Sequence, residues 1–403
     1  MDVQPFSGLR PAPTFVEQVV VTHRDSANEE YAILSAKSNP YSFLHISRAE
    51  LGMAAKDRSD CRKVQERTEE ALRKFQDEHI LIRDQEKAFY IYRLTLGSHA
   101  QTGLLCLVNV KDYDRGHIKR HELTRDKKIA AQERILDKCR AHTEAVLLVF
   151  DVNQRPTPDL SSYVNKANLL YTFTDQEGIG QEVWAVTDPL HIRTLQEAFR
   201  CTDSFYIADG HHRIAAAAAY AKKHPAGDTE YMLAALFPSD EMKIFDYNRA
   251  VHTLGGLRGE EFLRALTEKN FSVETLGKKA VRPSRNGEFT MYLGKTWYKL
   301  TYTGKLSADP VSGLDVSILQ DHVFHDILGI DDPQKDDRLS FISGTKGLAA
   351  LEKAVQGPSD AAFAIPPVSM EEIMTVADSG RTMPPKSTCF EPKPISGIII
   401  HTF

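Results

Sequence analysis

The sequence predicts a mixed α/β protein, α+β in parts. Three observations predict it: apolar strand-like runs alternate with amphipathic helical stretches along most of the chain, no internal repeat or low-complexity tract interrupts them, and 42% of the 403 residues are hydrophobic against 26% charged. That composition is enough to bury one or two cores and excludes compositional disorder.

Taken in order, the first 50 residues read as short strands. Residues 16–22 form a run rich in β-branched side chains, Ser38-Asn39-Pro40-Tyr41 is turn-like, and Ser42-Phe43-Leu44-His45-Ile46 alternates. Residues 60–79 form an amphipathic helix with Val64, Ala71, Leu72 and Phe75 as its apolar stripe. Strands are expected at 88–96 and 103–110, a polar stretch at 111–124, a helix at 126–141 and a strand at 145–152. The alternation continues with strands at 168–174 and 181–187, a helix at 190–199 and a strand at 204–208. Asp209-Gly210 then turns into an alanine-rich helix at 214–223, followed by a strand at 231–237. After about 255 the pattern changes to a helix at 259–268, strands at 288–293 and 296–303, a helix at 314–328 and a βαβ-like tail, which reads as a second lobe.

Fifty Lys and Arg against 55 Asp and Glu leave a formal net charge of -5, so the field that non-specific nucleic-acid binding needs is lacking. No apolar run approaches the length of a membrane helix, and residues 1–13 show no basic region followed by an apolar block, so a cytoplasmic protein is expected. The five cysteines are scattered without a Cys-x-x-Cys pair, which indicates neither a disulfide framework nor a zinc ribbon.

The sharpest local signal is Tyr206-Ile207-Ala208-Asp209-Gly210-His211-His212-Arg213 before five alanines. A glycine turn at a strand-to-helix junction opens backbone N–H groups and the positive end of the helix to an anion, and Arg213 adds planar donors that match phosphate oxygens. The bland alternative is an Asp N-cap with solvent-facing histidines. His211 and His212, diverging by about 100° on a helix, are poorly placed to share one metal ion. The second signal is Arg120-His121-Glu122-Leu123-Thr124, where a carboxylate among basic neighbours has the chemistry of a base for phosphoryl transfer to an alcohol. Its bland alternative is a glutamate complementing a helix dipole. The third is Met383-Pro384-Pro385-Lys386-Ser387-Thr388 with Glu391-Pro392-Lys393-Pro394, a proline-fixed approach to a lysine and two hydroxyls, or else a rigid loop. Ser343-Gly344-Thr345-Lys346-Gly347 lacks phosphate-loop spacing and reads as a turn.

Taken together in this order, these fragments resemble a widespread bacterial and archaeal family, long known as a domain of unknown function, whose characterised relatives are free-serine kinases of the ParB/sulfiredoxin-like superfamily. The resemblance also covers Asn39-Pro40-Tyr41-Ser42-Phe43-Leu44 and Phe363-Ala364-Ile365-Pro366. It implies a ParB/sulfiredoxin-like core with extra N-terminal and C-terminal α/β elements, divided as 1–100, 101–255 and 256–403. It further implies phosphoryl transfer to free L-serine, giving O-phosphoserine, with pyrophosphate as donor and ADP or ATP as alternatives.

On this resemblance Glu122 is the base and His211 a second catalytic group. Asp209, Gly210, His211, His212, Arg213 and Lys386 hold phosphate, Arg120, His121, Thr124, Ser387 and Thr388 hold substrate, and Asp209 holds Mg2+. Glu122, the 209–213 turn and Lys386 should then converge on one cleft. The partners implied are small molecules, with no nucleic acid and no membrane, and a monomer or homodimer is expected. Two departures bear on the acceptor: residues 20–25 stand where the family has Pro-Pro-Tyr-Asp, and Cys389 stands where an aromatic residue is expected. The competing classes are a ParB-like nucleotide-binding switch or DNA-associated protein, and a zinc hydrolase using His121, Glu122, His211 and His212.

Overall fold

Strand β1 (Val3–Gln4) opens a nine-stranded sheet that continues through β2 (Phe89–Leu96), β3 (His99–Asn109), β4 (Ile118–Lys119), β5 (Val146–Phe150), β6 (Asn168–Thr174), β7 (Gly180–Val186), β8 (Phe205–Asp209) and β9 (Tyr231–Pro238). The structure, a computed structural model, describes residues 1–22, 29–153, 157–225 and 227–403. From His23 onward the stretch standing in for Pro-Pro-Tyr-Asp lies outside the described residues. Two compact units emerge: unit 1 takes in Met1–Lys119, Leu123–Met242 and Pro392–Phe403, and unit 2 takes in Arg120–Glu122 and Lys243–Glu391. Strand β3 itself runs through residue 100 and pairs with β2.

In unit 1 the strand order is β4-β8-β5-β9-β3-β2-β7-β6, with β1 on β3. The pairs β4–β8 and β5–β9 are parallel and the others antiparallel, so the sheet is mixed, as the α/β reading expects. All five residues of β5, Val-Leu-Leu-Val-Phe, are buried, which marks a central strand covered on both faces. Helices α1 (Cys61–Asp77), α2 (Asp126–Cys139), α3 (Pro189–Arg200) and α4 (His211–Lys223) lie close to their expected positions. Their starts follow from local chemistry: Asp60 accepts from the Arg62 and Lys63 N–H groups, and Asp188 caps α3 ahead of Pro189. In α4 the buried Ala215, Ala216, Ala217 and Ala218 let the helix approach its neighbours closely.

Two early strands are corrected. Val16–Val19 is helical, with Val16 and Val19 buried at a spacing of three, and Leu44–Ser47 is a helical turn rather than an alternating strand. The cause of the second lies in side chains that wind the backbone locally. Asn39 Oδ1 accepts from the Tyr41 N–H at 3.0 Å and Ser42 Oγ from the Leu44 N–H at 3.3 Å.

The last residues of unit 1 return to its interior. His401–Thr402 pairs antiparallel with Ala141–His142, setting the Nδ1 atoms of His142 and His401 3.3 Å apart. Burial, and then His401 itself, pushes the His142 pKa down to about 3, and burial pushes His401 down to about 4. The unfolded chain therefore binds more protons below pH 6.5, and the stability of the neutral pair is present above that pH and is lost as the pH falls toward these values. By pH 5 each histidine should cost roughly 2 kcal/mol. Urea midpoints at pH 7 and pH 5 check this. His401→Phe should flatten the difference, and a variant with the full wild-type acid sensitivity would exclude the pair as its source.

Unit 2 holds β10 (Tyr247–Val251), β11 (Phe271–Gly277), β12 (Glu288–Leu293), β13 (Thr296–Tyr302), β14 (Leu339–Ser343) and β15 (Ala361–Ala364), in the order β11-β13-β12-β15-β10-β14 with every neighbouring pair antiparallel. Its helices include α5 (Gly259–Glu268), α6 (Ala349–Ala354) and α7 (Met370–Asp378). Strands β14 and β15 both run antiparallel to β10 and are joined through α6, so they form the crossover expected of the tail. The helix expected at 314–328 is instead Asp315–Leu319 continued by a π-helical stretch, Gln320–His325. Ser343-Gly344-Thr345-Lys346-Gly347 is a turn, as expected. Among the described residues no helix is long and apolar enough to cross a membrane.

Candidate functional site

The strand-to-helix corner in unit 1 is made by one residue. Strand β8 ends at Asp209, α4 begins at His211, and Gly210 between them has φ 95°, a conformation that costs other residues about 1–2 kcal/mol. The register of β8 on β5 shifts between Ile207 and Asp209, a bulge that re-aims the end of the strand. A Cβ on Gly210 would lie 2.9 Å from Arg213 Nε and Nη2, so the glycine also makes room for the guanidinium.

That guanidinium is not waiting for an anion. Arg213 Nη1 donates to Glu144 and Nη2 donates to Asp209 Oδ2 at 2.7 Å. Burial works to lower the Arg213 pKa, but Glu144 and then Asp209 outweigh it and hold the value above the ordinary one. Lys393 Nζ approaches Asp209 Oδ1 at 3.3 Å, and Ser396 Oγ donates to Glu144 at 2.8 Å. The four charged groups border a cavity of about 60 Å³, with Pro394, Ile395 and Ser396 among its walls. Each oxygen of Asp209, the residue expected to hold Mg2+, faces a cation, Arg213 at one and Lys393 at the other. Asp209 is not the N-cap: Gly210 holds that position without a side-chain bond.

The two histidines part ways, as adjacent helical residues must. His211 is buried, whereas His212 is half-buried and its Nε2 accepts from the Arg125 N–H at 3.1 Å. Burial, and after it Lys128 and Arg125, lowers the His212 pKa, the direction that favours an acceptor ring. Among the described residues no group of three or more His, Cys, Asp or Glu is arranged to hold a metal ion, so the zinc-hydrolase reading has no donor set.

In unit 2, two expected fragments 267 positions apart meet. The Met383 N–H donates to the His121 carbonyl at 2.8 Å, and His121 Nε2 lies 3.4 Å from Thr388 Oγ1. His121 is buried, while Arg120 and Glu122 on either side of it are exposed. Ser387 is buried and donates its hydroxyl to the Pro384 carbonyl at 2.6 Å, closing the loop on itself. Lys386 is exposed at φ 59°, with Nζ 5.5 Å from the centre of the Tyr247 ring. Thr124, the last of the expected substrate residues, is half-buried in unit 1. Thus His121, Lys386, Ser387 and Thr388 share one neighbourhood in unit 2, and the 209–213 corner is completed in unit 1 by Glu144, Lys393 and Ser396.

Glu144 carries no sequence signal beyond being acidic just ahead of an apolar strand. Lys393 had one: it stands between two prolines in the third fragment.

The model of the family described as a protein of unknown function, DUF1015, matches residues 3–317, most of the chain. The chain belongs to this family. No curated protein matches it. Among solved structures it is similar to a free serine kinase in complex with AMP, at 15% identity over 71% of this chain and 86% of that one, with a TM-score of 0.34. A mutant of a free serine kinase in complex with ADP gives 16% identity, 71% and 87% coverage and a TM-score of 0.36. SbnI with a C-terminal truncation, from Staphylococcus aureus, gives 13% identity, 72% and 85% coverage and a TM-score of 0.36.

Proposed function

We propose that this DUF1015 chain is a phosphotransferase that moves a phosphoryl group to the hydroxyl of free L-serine, with pyrophosphate as donor and ADP or ATP as alternatives. The observation that supports it most is the meeting of the His121 element with the Pro-Lys-Ser-Thr loop in unit 2, since the resemblance gives those two elements one task. Glu122, exposed beside the buried His121, takes the proton of the serine hydroxyl as its oxygen attacks phosphorus. The bond from phosphorus to the leaving oxygen breaks, and with pyrophosphate the group released is inorganic phosphate. Lys386 is exposed in the loop, its ammonium group near the Tyr247 ring and available to phosphate oxygens. The resemblance also assigns donor phosphate to the α4 corner of unit 1, where Arg213 bridges Glu144 and Asp209 and Lys393 stands beside Asp209.

The test is direct. The full chain is incubated with L-serine and, separately, pyrophosphate, ADP and ATP, and O-phosphoserine is sought by 31P NMR and mass spectrometry. One donor should give product in amounts that follow enzyme concentration. Absence of product with all three, with magnesium supplied, would overturn the proposal.

A further inference from the structure

Strand β10 carries Arg249 into the interior of unit 2, where it is 2% exposed. Nη1 donates to the Tyr247 carbonyl at 2.6 Å, Nη2 donates to the Pro385 carbonyl at 3.2 Å, and the guanidinium carbon lies 4.6 Å from the centre of the Phe341 ring. None of these partners carries a negative charge. Other arginines of the same unit are matched, Arg282 by Asp246 and Arg285 by Glu288, but among the described residues no carboxylate pairs with Arg249. A buried cation without a counter-charge costs several kcal/mol. Burial holds its pKa well below the ordinary arginine value, which is the same cost seen from the proton's side.

A bound oxyanion would supply that counter-charge. The Pro385 carbonyl that Arg249 holds belongs to the residue just before Lys386, which adopts a positive φ uncommon outside glycine. Two cations, one buried and one exposed, therefore adjoin the turn of the 385–388 loop. We infer that Arg249 and Lys386 form the seat of a small oxyanion, phosphate or carboxylate, received by the 385–388 loop. The planar fork of Arg249 suits either group, and the lysine adds a point charge. In naming the oxyanion as the transferred phosphate or the serine carboxylate the inference rests on the kinase reading, but the anion seat itself does not.

Calorimetric titration of the full chain at low salt tests it, with four probes: inorganic phosphate, pyrophosphate, L-serine, and L-serinamide, which lacks the carboxylate. At least one oxyanion should bind. Arg249→Gln should weaken that binding about tenfold or more, and Arg249→Lys should restore part of it. Binding of phosphate or pyrophosphate assigns the seat to the phosphoryl group, whereas binding of serine but not serinamide assigns it to the carboxylate. Should Arg249→Gln fail to fold, exposed Lys386→Gln decides, with an expected loss of several-fold. Wild-type chain that binds none of the oxyanions, or variants that bind them unchanged, would overturn the inference. A chain that binds pyrophosphate through Arg249 yet forms no O-phosphoserine keeps the seat and loses the kinase.

Discussion

Glu122→Gln is expected to lower O-phosphoserine formation by about two to three orders of magnitude, the usual worth of a positioned general base. The amide keeps the size and polarity of the side chain but cannot take a proton. Glu122 is exposed, so the substitution should leave the urea midpoint within about 0.5 kcal/mol of wild type, as surface changes usually do. The loss should fall on kcat, with KM for L-serine little changed, because the interaction removed is one made as the proton moves. A Glu122→Gln chain that phosphorylates serine at near wild-type rate would end the base assignment, even if transfer itself were real.

The second large effect is on stability. Arg213→Met should destabilise the chain by about 2 to 3 kcal/mol, less than for a fully buried pair because Glu144 and Asp209 are each partly exposed. Methionine fills much of the volume, so packing is not the main loss. What remains is two carboxylates without the guanidinium that joined them, with Lys393 near one of them. Adding Glu144→Gln to Arg213→Met should recover part of the loss, since it removes one orphaned charge. A single variant as stable as wild type in urea would show that the corner's ion pairs contribute nothing net.

These two effects differ in how far the sequence foretold them. Glu122 and the 209–213 turn were both visible as motifs, because a carboxylate flanked by cations and a glycine before a helix leave local traces. The ion-paired state of Arg213 was not legible, because its partner Glu144 lies 69 positions away and leaves no local trace. Lys393 was visible between its prolines, but its target was not, because pairing Lys393 with Asp209 requires the chain to leave unit 1 and return at Pro392. Likewise Arg249 sits in a short strand that no periodicity flags, and its lack of a counter-charge is a property of its neighbours rather than of its own segment.

By itself the sequence determined the mixed α/β class, most helices and strands after residue 60, and the fragments that carry the family resemblance. Hydrophobic periodicity, caps and glycine turns act over a few residues, and so they are written locally. Tertiary structure alone decided the short helices where early strands were expected, the division into two units, the ion-paired state of the α4 corner and the unmatched burial of Arg249. Each of those depends on which distant groups come within a few ångströms, where burial strips away water and makes charge and hydrogen-bond pairing count, and sequence order does not encode that distance.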